Sequence, residues 1–281
     1  MNDIVIFGST GFIGSNIYNY LVENEHNTMG FSSDTCNLLD QKDIKNVFSH
    51  FKNNFSLIIC SSITRSVDNS LESMFYNIQM IENIVKSIPI DLINNIIYLS
   101  SVDVYGSVKD SRNIDENTQQ RSVGYYGLSK LVCENLLSFN IQDKPITVLR
   151  LPGIYGHGDK YKSIVGKFIH DAHIKKKIKI TNDGNCLRDY VEVSDLCKIV
   201  NYFIQNPFNG AIIVATGHSL TIHEIAEIVI KKLNNKTVIE NINTHSSSVD
   251  LLFDNSLFRS IIPSFNFIDI NTGIEKYIKT I

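Results

Sequence analysis

Ile4-Val5-Ile6-Phe7-Gly8-Ser9-Thr10-Gly11-Phe12-Ile13-Gly14 is the stretch on which the fold turns. Four β-branched or aromatic residues in a row read as a buried strand. Ile13, Ile17, Leu21 and Val22 then recur at helical spacing directly after the glycines. A strand that turns straight into a helix needs glycine wherever a side chain would obstruct the backbone or a ligand drawn up against it. The helix that follows presents free N–H groups and the positive end of its dipole to an anion. Gly8, Gly11 and Gly14 have the spacing G-x-x-G-x-x-G. Their place after a first strand and before an amphipathic helix reads as a pyrophosphate-binding turn rather than a purely structural run.

Outward from that turn the first half alternates. Strand-like runs at 4–7, 26–31, 56–60, 95–100 and 146–151 are separated by helical patterns near 13–22, 41–51, 70–88 and 125–139. This alternation implies an α/β fold, a parallel sheet covered by helices on both faces. The second half is less regular, with helical stretches near 163–174, 193–204, 220–233 and 271–278. Short strands are expected at 178–180 and 211–215, the latter rejoining the sheet. The expected organisation is a dinucleotide-binding domain over 1–156, with returns near 191–216. A smaller substrate-binding lobe is expected from 157–190 and 217–281.

The 281 residues carry 26 basic and 29 acidic side chains, a net charge of −3. No basic excess is available to neutralise a phosphate backbone, which excludes nucleic acid as the main partner. No apolar run approaches the ~20 residues that span a bilayer, and Met1-Asn2-Asp3 leads into the first strand without a signal-peptide pattern. The expected setting is cytoplasmic, with no membrane partner. Cys36, Cys60, Cys133, Cys186 and Cys197 are scattered without a C-x-x-C pair, so reduced, packed thiols are expected. They are not grouped with histidines at zinc spacing, and no metal site is expected.

The end of the second strand discriminates NAD from NADP, because a carboxylate there accepts the ribose 2′-hydroxyl and repels a 2′-phosphate. Here it reads Gly30-Phe31-Ser32-Ser33-Asp34, with Ser32 at the place of the acid. Two hydroxyls can donate to a phosphate, which predicts NADP as the preferred cofactor and NAD as the alternative. Asp34 swinging in would reverse that preference. Turn bonds made by the two serines are the plain structural alternative.

Tyr126 and Lys130 stand four apart, hence on one face of a helix. A phenol with a pKa of ~10 is a poor acid–base group at neutral pH, and a neighbouring ammonium favours the phenolate. Ser101, in Ser100-Ser101-Val102-Asp103-Val104-Tyr105-Gly106, lies at the end of the preceding strand, where open α/β sheets bind ligands. These three residue types suit a carbonyl oxygen that Ser101 bonds and Tyr126 protonates.

With Gly8, Gly11 and Gly14, Asn77 in the long helix, Arg150-Leu151-Pro152-Gly153-Ile154-Tyr155-Gly156 and the run from Gly184 through Arg188-Asp189-Tyr190 to Asp195, the set resembles the extended short-chain dehydrogenases/reductases. That branch holds nucleotide-sugar epimerases, dehydratases and 4-ketosugar reductases. The resemblance spans nearly the whole chain and implies a Rossmann-type parallel sheet with a smaller C-terminal α/β lobe. It implies Tyr126 as general acid or base, Lys130 lowering its pKa and holding the nicotinamide ribose, and Ser101 orienting a sugar carbonyl. Arg188 matches the arginine that holds a nucleotide diphosphate, a task suited to a bidentate fork. A salt bridge to Asp189 or Asp195 is its structural alternative. Cys60, Ser61 and Ser62 fall beneath the cofactor. Thr10, Phe12, Ile13, Phe31, Ser32, Ser33, Leu38, Asn77, Leu99, Leu151 and Ile154 are assigned to the same cleft. Thr64, Arg65, Asp103 and Gly153 fall on the substrate side, Arg65 as readily solvated as functional. A homodimer through the helices near 70–88 and 125–139 is also implied.

The departures narrow the reaction. Dehydratases of this kind place an Asp-Glu pair just after the catalytic hydroxyl, where this chain has Val102 and Asp103, so one carboxylate is missing. Asp103 either bonds a sugar hydroxyl or caps the following turn. The Cys and His of the 3,5-epimerising synthases are not matched, with His157 offset. Gly153 replaces the usual Asn, and His245-Ser246-Ser247-Ser248 stands where a second diphosphate arginine is expected. The expected activity is NAD(P)H-dependent reduction of a nucleotide-linked 4-keto-6-deoxyhexose. An NAD-dependent nucleotide-sugar 4-epimerase is the alternative, and a non-catalytic NAD(P)-binding protein the second.

Overall fold

The computed structural model describes residues 3–106, 113–243 and 249–281, so His245-Ser246-Ser247-Ser248 lies outside the described residues. The first half runs β1 (Asp3–Phe7), α1 (Phe12–Glu23), β2 (Thr28–Phe31), α2 (Gln41–Ser49), β3 (Phe55–Ile59), α3 (Leu71–Ser87), β4 (Ile93–Ser101), α4 (Tyr125–Asn140) and β5 (Ile146–Leu151). Then come β6 (Gly153–Tyr155), α5 (Ile164–His170), β7 (Lys177–Thr181), β8 (Leu187–Arg188), β9 (Tyr190–Glu192), α6 (Val193–Gln205) and β10 (Gly210–Ile213). The chain finishes with β11 (Leu220–Thr221), α7 (Ile222–Leu233), β12 (Val238–Ile242), α8 (Ser256–Ile261) and α9 (Ile270–Ile278).

Six strands form the main sheet in the order β10-β5-β4-β3-β1-β2. β1 runs parallel to β2 and β3, and β3 parallel to β4, with Val5 opposite Leu57 and Leu57 opposite Ile96. Every residue of β3 is buried, as a strand covered on both faces requires. One face packs on Ile44 and Phe48 of α2, Ile81 and Ile84 of α3 and Leu137 of α4, together with Phe7, Phe55 and Leu57 of the strands. Asp40 and Ser70 cap α2 and α3 by accepting from the N–H groups of Lys42 and Ser73. α4 starts at Gly124 without a side-chain cap of its own. Its first turn is reached from elsewhere, because Asn69 Oδ1 accepts from the Tyr126 N–H at 3.3 Å.

The chain divides into two units: Met1–Ser107, Gln119–Arg150 and Leu196–Ile212 in the first, and Val108–Thr118, Leu151–Asp195 and Ile213–Ile281 in the second. The division falls after Arg150, where the sequence pattern put it at 156. Residues 153–155 form β6 and pair in parallel with β9, Gly153 opposite Tyr190 and Tyr155 opposite Glu192. The second unit has its own core around Phe168, Ile169, Ile178, Ile225, Val229 and Ile274. Residues near Ile114 join it through a bridge to Phe253. All five cysteines are free. Among the described residues, no helix is long and apolar enough to cross a membrane.

Candidate active site

The glycines of the turn divide by task. Gly8 sits at φ +85°, and a Cβ there would stand 2.7 Å from the Ser61 backbone nitrogen; one on Gly14 would stand 2.0 Å from the Gly8 oxygen. Those two let β1, the end of β3 and α1 close upon one another. Gly11 is different: its Cβ would meet the Gly8 oxygen only at ordinary contact, 3.5 Å, so one side of the turn stays open. Gly11 is also the N-cap of α1, with no side-chain cap and no acidic residue in the first turn. An open approach to uncapped N–H groups fits the pyrophosphate of a dinucleotide. Thr10 is exposed at the mouth of the turn, and Phe12 and Ile13 are half-buried behind it. The Phe31 carbonyl accepts from the N–H groups of Gly8 and Ser9 at 2.8 and 3.1 Å, tying the end of β2 to the turn. Beyond it, Ser32 Oγ accepts from the Asp34 N–H at 3.2 Å and Thr35 Oγ1 accepts from the Ser32 N–H at 2.9 Å. Ser32 thus builds the turn, its Oγ also 3.5 Å from Thr35 Oγ1, and Ser33 is exposed.

The Ser/Tyr/Lys set lies in the first unit. Lys130 is buried, its Nζ donating to the Leu99 carbonyl at 2.7 Å and standing 4.7 Å from the Tyr98 ring centroid and 5.8 Å from that of Tyr126. Burial lowers its pKa to about 8, against the pull of Cys133, Cys60 and Glu134. The Tyr126 phenol moves the other way. Burial and the Asp103 carboxylate raise its pKa, opposed by Arg65 and by a bond from the Ser62 side chain. The expectation that Lys130 depresses the phenol is therefore corrected, since burial outweighs the charges around it. Ser101 Oγ accepts from the Asp103 N–H at 3.1 Å, capping the short turn Val102–Val104, and keeps its own proton to donate. α4 comes close to this turn because residue 127 is glycine: a Cβ there would stand 2.4 Å from the Asp103 oxygen.

Asp103 pairs with Arg65 Nη1 at 2.9 and 3.0 Å, with Arg65 two-thirds exposed. Thr64 Oγ1 lies 3.0 Å from Ser66 Oγ in the same loop. Asn77 holds this loop from α3 rather than presenting its amide to a ligand, for its Oδ1 and Nδ2 bond the backbone of Ile63 at 2.7 and 2.9 Å. Leu38, assigned to the cofactor by resemblance, is buried in the core of the first unit, and its carbonyl accepts from Asn83 Nδ2 at 3.0 Å. Leu99 contributes its carbonyl to Lys130, and burial pushes the Cys60 thiol up to about 12, which keeps it neutral.

Leu151, Gly153, Ile154 and Arg188 belong to the second unit. Leu151 and Ile154 are buried. A Cβ on Gly153 would stand 2.5 Å from the Tyr190 ring, so with this ring in place the position has no room for a side chain. Arg188 Nη1 donates to the carbonyls of Leu187 and Val249 at 2.7 and 2.6 Å. Of the two salt-bridge alternatives, Asp189 accepts from Thr216 and the Gly217 N–H, and Asp195 Oδ2 accepts from the Ile268 N–H at 2.6 Å. Glu134 was not singled out from the sequence, and Arg150 entered only as the first residue of the run to Gly156; their signal was an i, i+4 step from Lys130 and a lone charge within a buried strand.

A strand–glycine turn–helix with an open anion site, beside a helix face carrying a phenol and a buried ammonium, defines an α/β enzyme of the dinucleotide-dependent kind. The sequence model of the NAD dependent epimerase/dehydratase family matches residues 4–215, and the chain belongs to that family, whose members are extended short-chain dehydrogenase/reductase enzymes. It is 27% identical over 237 residues to GDP-6-deoxy-D-talose 4-dehydrogenase of Aggregatibacter actinomycetemcomitans, covering 80% of this chain and 78% of that protein. It is 25% identical over 298 residues to GDP-L-colitose synthase of Yersinia pseudotuberculosis, covering 97% and 96%. Among solved structures it resembles the UDP-glucose 4-epimerase of Thermotoga maritima, crystallised with UDP-glucose, at a TM-score of 0.89 and 18% identity over 99% and 98% of the two chains.

Proposed function

We propose that the chain reduces a nucleotide-linked 4-keto-6-deoxyhexose with NAD(P)H, Tyr126 acting as general acid. The observation that carries this reading is geometric: Tyr126 and the buried Lys130, whose Nζ stands 5.8 Å from the Tyr126 ring centroid, share the face of α4 that closes at Gly127 on the turn capped by Ser101. A bound nicotinamide supplies the hydride. Ser101 donates its free O–H to the carbonyl oxygen, and Tyr126 delivers a proton to the same oxygen as it becomes an alkoxide. The Lys130 ammonium then stabilises the phenolate left behind. Arg188 would hold the diphosphate, and Thr64, Arg65 and Asp103 the sugar. The 4-dehydrogenase among the relatives supports chemistry at C4, and the single carboxylate after Ser101 argues against a dehydratase.

NADPH is the proposed donor, supported by the absence of a carboxylate at Ser32. A homodimer is proposed through α3 and α4, supported by the exposed Leu71, Phe75 and Leu128. The test is a panel of nucleotide 4-ketosugars with NADH and NADPH, following absorbance at 340 nm and identifying products by NMR. Stoichiometric oxidation of the nucleotide with a reduced C4 is expected. Interconversion of nucleotide hexoses with no net change at 340 nm would assign the 4-epimerase reaction instead.

A further inference from the structure

The face of α4 that carries Tyr126 and Lys130 continues one turn further to Glu134. Glu134 is 8% exposed, and a carboxylate so placed must be paired and hydrogen-bonded. Arg150, on the neighbouring strand β5 and itself buried, supplies the pair, with Nη2 at 2.7 Å from Oε2 and Nε at 3.2 Å from Oε1. Ser100 Oγ, from β4, donates to Oε1. Arg150 Nη1 donates to Tyr105 Oη at 2.7 Å. Burial works against the Arg150 charge, yet Glu134 and Tyr105 hold its pKa above the ordinary value.

Each anchor of this group neighbours a residue of the reacting set. Ser100 lies between Leu99, which accepts from Lys130 Nζ, and Ser101. Tyr105 closes the short turn that Ser101 caps. α4 is thus tied to β4 twice on one face, Lys130 to residue 99 and Glu134 to residue 100. Stability alone does not call for ions here, since apolar residues of similar volume serve a buried helix–sheet contact as well or better. We propose that Glu134, clamped by Arg150 and Ser100, is a positioning residue for Lys130, fixing its ammonium against β4. The inference rests on the assignment of Lys130 and Tyr126 to the reaction.

The groups facing Lys130 are Tyr98 of β4, Tyr126, Cys133 and Glu134 of α4, and Cys60 at the end of β3. Of these, Glu134 is the carboxylate, and its negative charge works against the burial that depresses the ammonium. Replacing it with glutamine leaves Arg150 as an added nearby positive charge, so both changes push Lys130 toward its neutral form at lower pH.

The experiment uses the full chain and three variants: Glu134→Gln, Glu134→Gln/Arg150→Met, and the mild Ser100→Ala. NADH and NADPH binding are followed by fluorescence from pH 6 to 10, with turnover, KM and thermal midpoint measured alongside. In the unaltered chain cofactor affinity should decline as Lys130 loses its proton. Glu134→Gln should move that decline to lower pH by half a unit or more and reduce kcat at least tenfold, with KM within threefold. The double variant, free of an orphaned charge, should regain the thermal midpoint and part of the pH limb, but not kcat. Ser100→Ala, in which Arg150 still holds the carboxylate, should lower kcat severalfold with only a small fall in the midpoint, and it carries the test if the others fail to fold. A double variant that regains kcat along with its midpoint, or any folded variant keeping the original limb and kcat, overturns the inference. If Lys130→Met and Tyr126→Phe also keep full turnover, the assignment of the reacting residues fails; if they lose it while the Glu134 variants keep theirs, only the positioning role fails.

Discussion

Asn77 grips Ile63 by both backbone groups, its Oδ1 accepting from the Ile63 N–H at 2.7 Å and its Nδ2 donating to the Ile63 carbonyl at 2.9 Å. The same Nδ2 reaches Ser129 Oγ at 3.3 Å, and Ser129 Oγ donates to the Tyr126 carbonyl at 2.7 Å. One amide therefore fixes the loop after β3 and ties it to the first turn of α4. Asn77→Ala leaves partly buried backbone groups unpaired, a cost of about 1–3 kcal/mol. The thermal midpoint should fall by several degrees, and cofactor affinity should weaken as Ser61 and Ser62 lose their support. Calorimetry and fluorescence titration check both; an unchanged affinity would leave Asn77 with a purely structural task.

Tyr126→Phe should reduce turnover a hundredfold or more, the usual scale for removing a general acid. Cofactor affinity should stay within threefold, because the phenol oxygen is assigned to the substrate carbonyl. Stopped-flow and steady-state rates on the substrate found by the panel decide it. Turnover within threefold of the unaltered chain removes Tyr126 from the chemistry.

Lys130 gives stability a specific pH dependence. The folded chain releases this proton at about 8, while the ordinary value is 10.5. Below pH 8 both states hold the proton, and the folded state bears the full penalty of a buried ammonium. Between 8 and 10.5 the unfolded state binds more protons, so this group's contribution to stability rises with pH. Compared with the unaltered chain, Lys130→Met should therefore gain most stability at pH 7, on the order of 3 kcal/mol. The gain should shrink toward pH 10.5. Urea denaturation at pH 7, 9 and 10.5 measures the difference, and a pH-independent difference would mean that the ammonium is solvated.

The cofactor choice has a direct readout. With Ser32 and Ser33 at the ribose end of β2, NADPH should be preferred over NADH at least fivefold in kcat/KM. Ser32→Asp should reverse the order, because a carboxylate accepts the 2′-hydroxyl and repels the 2′-phosphate. Equal use of the two by the unaltered chain would mean that the serines serve the turn alone.

What was legible in the sequence depended on local chemistry. The strand, glycines and helix of residues 4–22 are neighbours along the chain, and Tyr126 and Lys130 share a helix face, so period and spacing sufficed. The Glu134–Arg150 pair joins a helix to a strand 16 positions on, and no spacing rule connects them. The Tyr126 pKa went against expectation because burial is a property of the packed structure, whereas the Lys130 charge could be read from one helical turn. The close packing of Gly153 on the ring of Tyr190, 37 positions away in sequence and opposite it in the β6–β9 pair, had no local signal either.

Arg188 separates a nucleotide-sugar enzyme from a relative acting on another carbonyl. Its Nη1 is engaged by the Leu187 and Val249 carbonyls, while Nη2 and Nε take no part in those two bonds. A guanidinium held at one nitrogen keeps an edge for a phosphate, and such a charge-assisted contact is worth about 1.5–3 kcal/mol. At about 1.4 kcal/mol per decade, Arg188→Met should weaken nucleoside diphosphate inhibitors about ten- to a hundredfold. Because the residue also fastens the backbone near Val249, the thermal midpoint must be followed too, and Arg188→Lys serves as the second variant. It keeps the charge but loses the fork, and should recover only part of the affinity. NADPH affinity should hardly move in either. If isothermal calorimetry finds that UDP, GDP, CDP and dTDP all fail to bind the unaltered chain at millimolar concentration, the nucleotide-sugar reading goes, and a reductase of some other carbonyl remains.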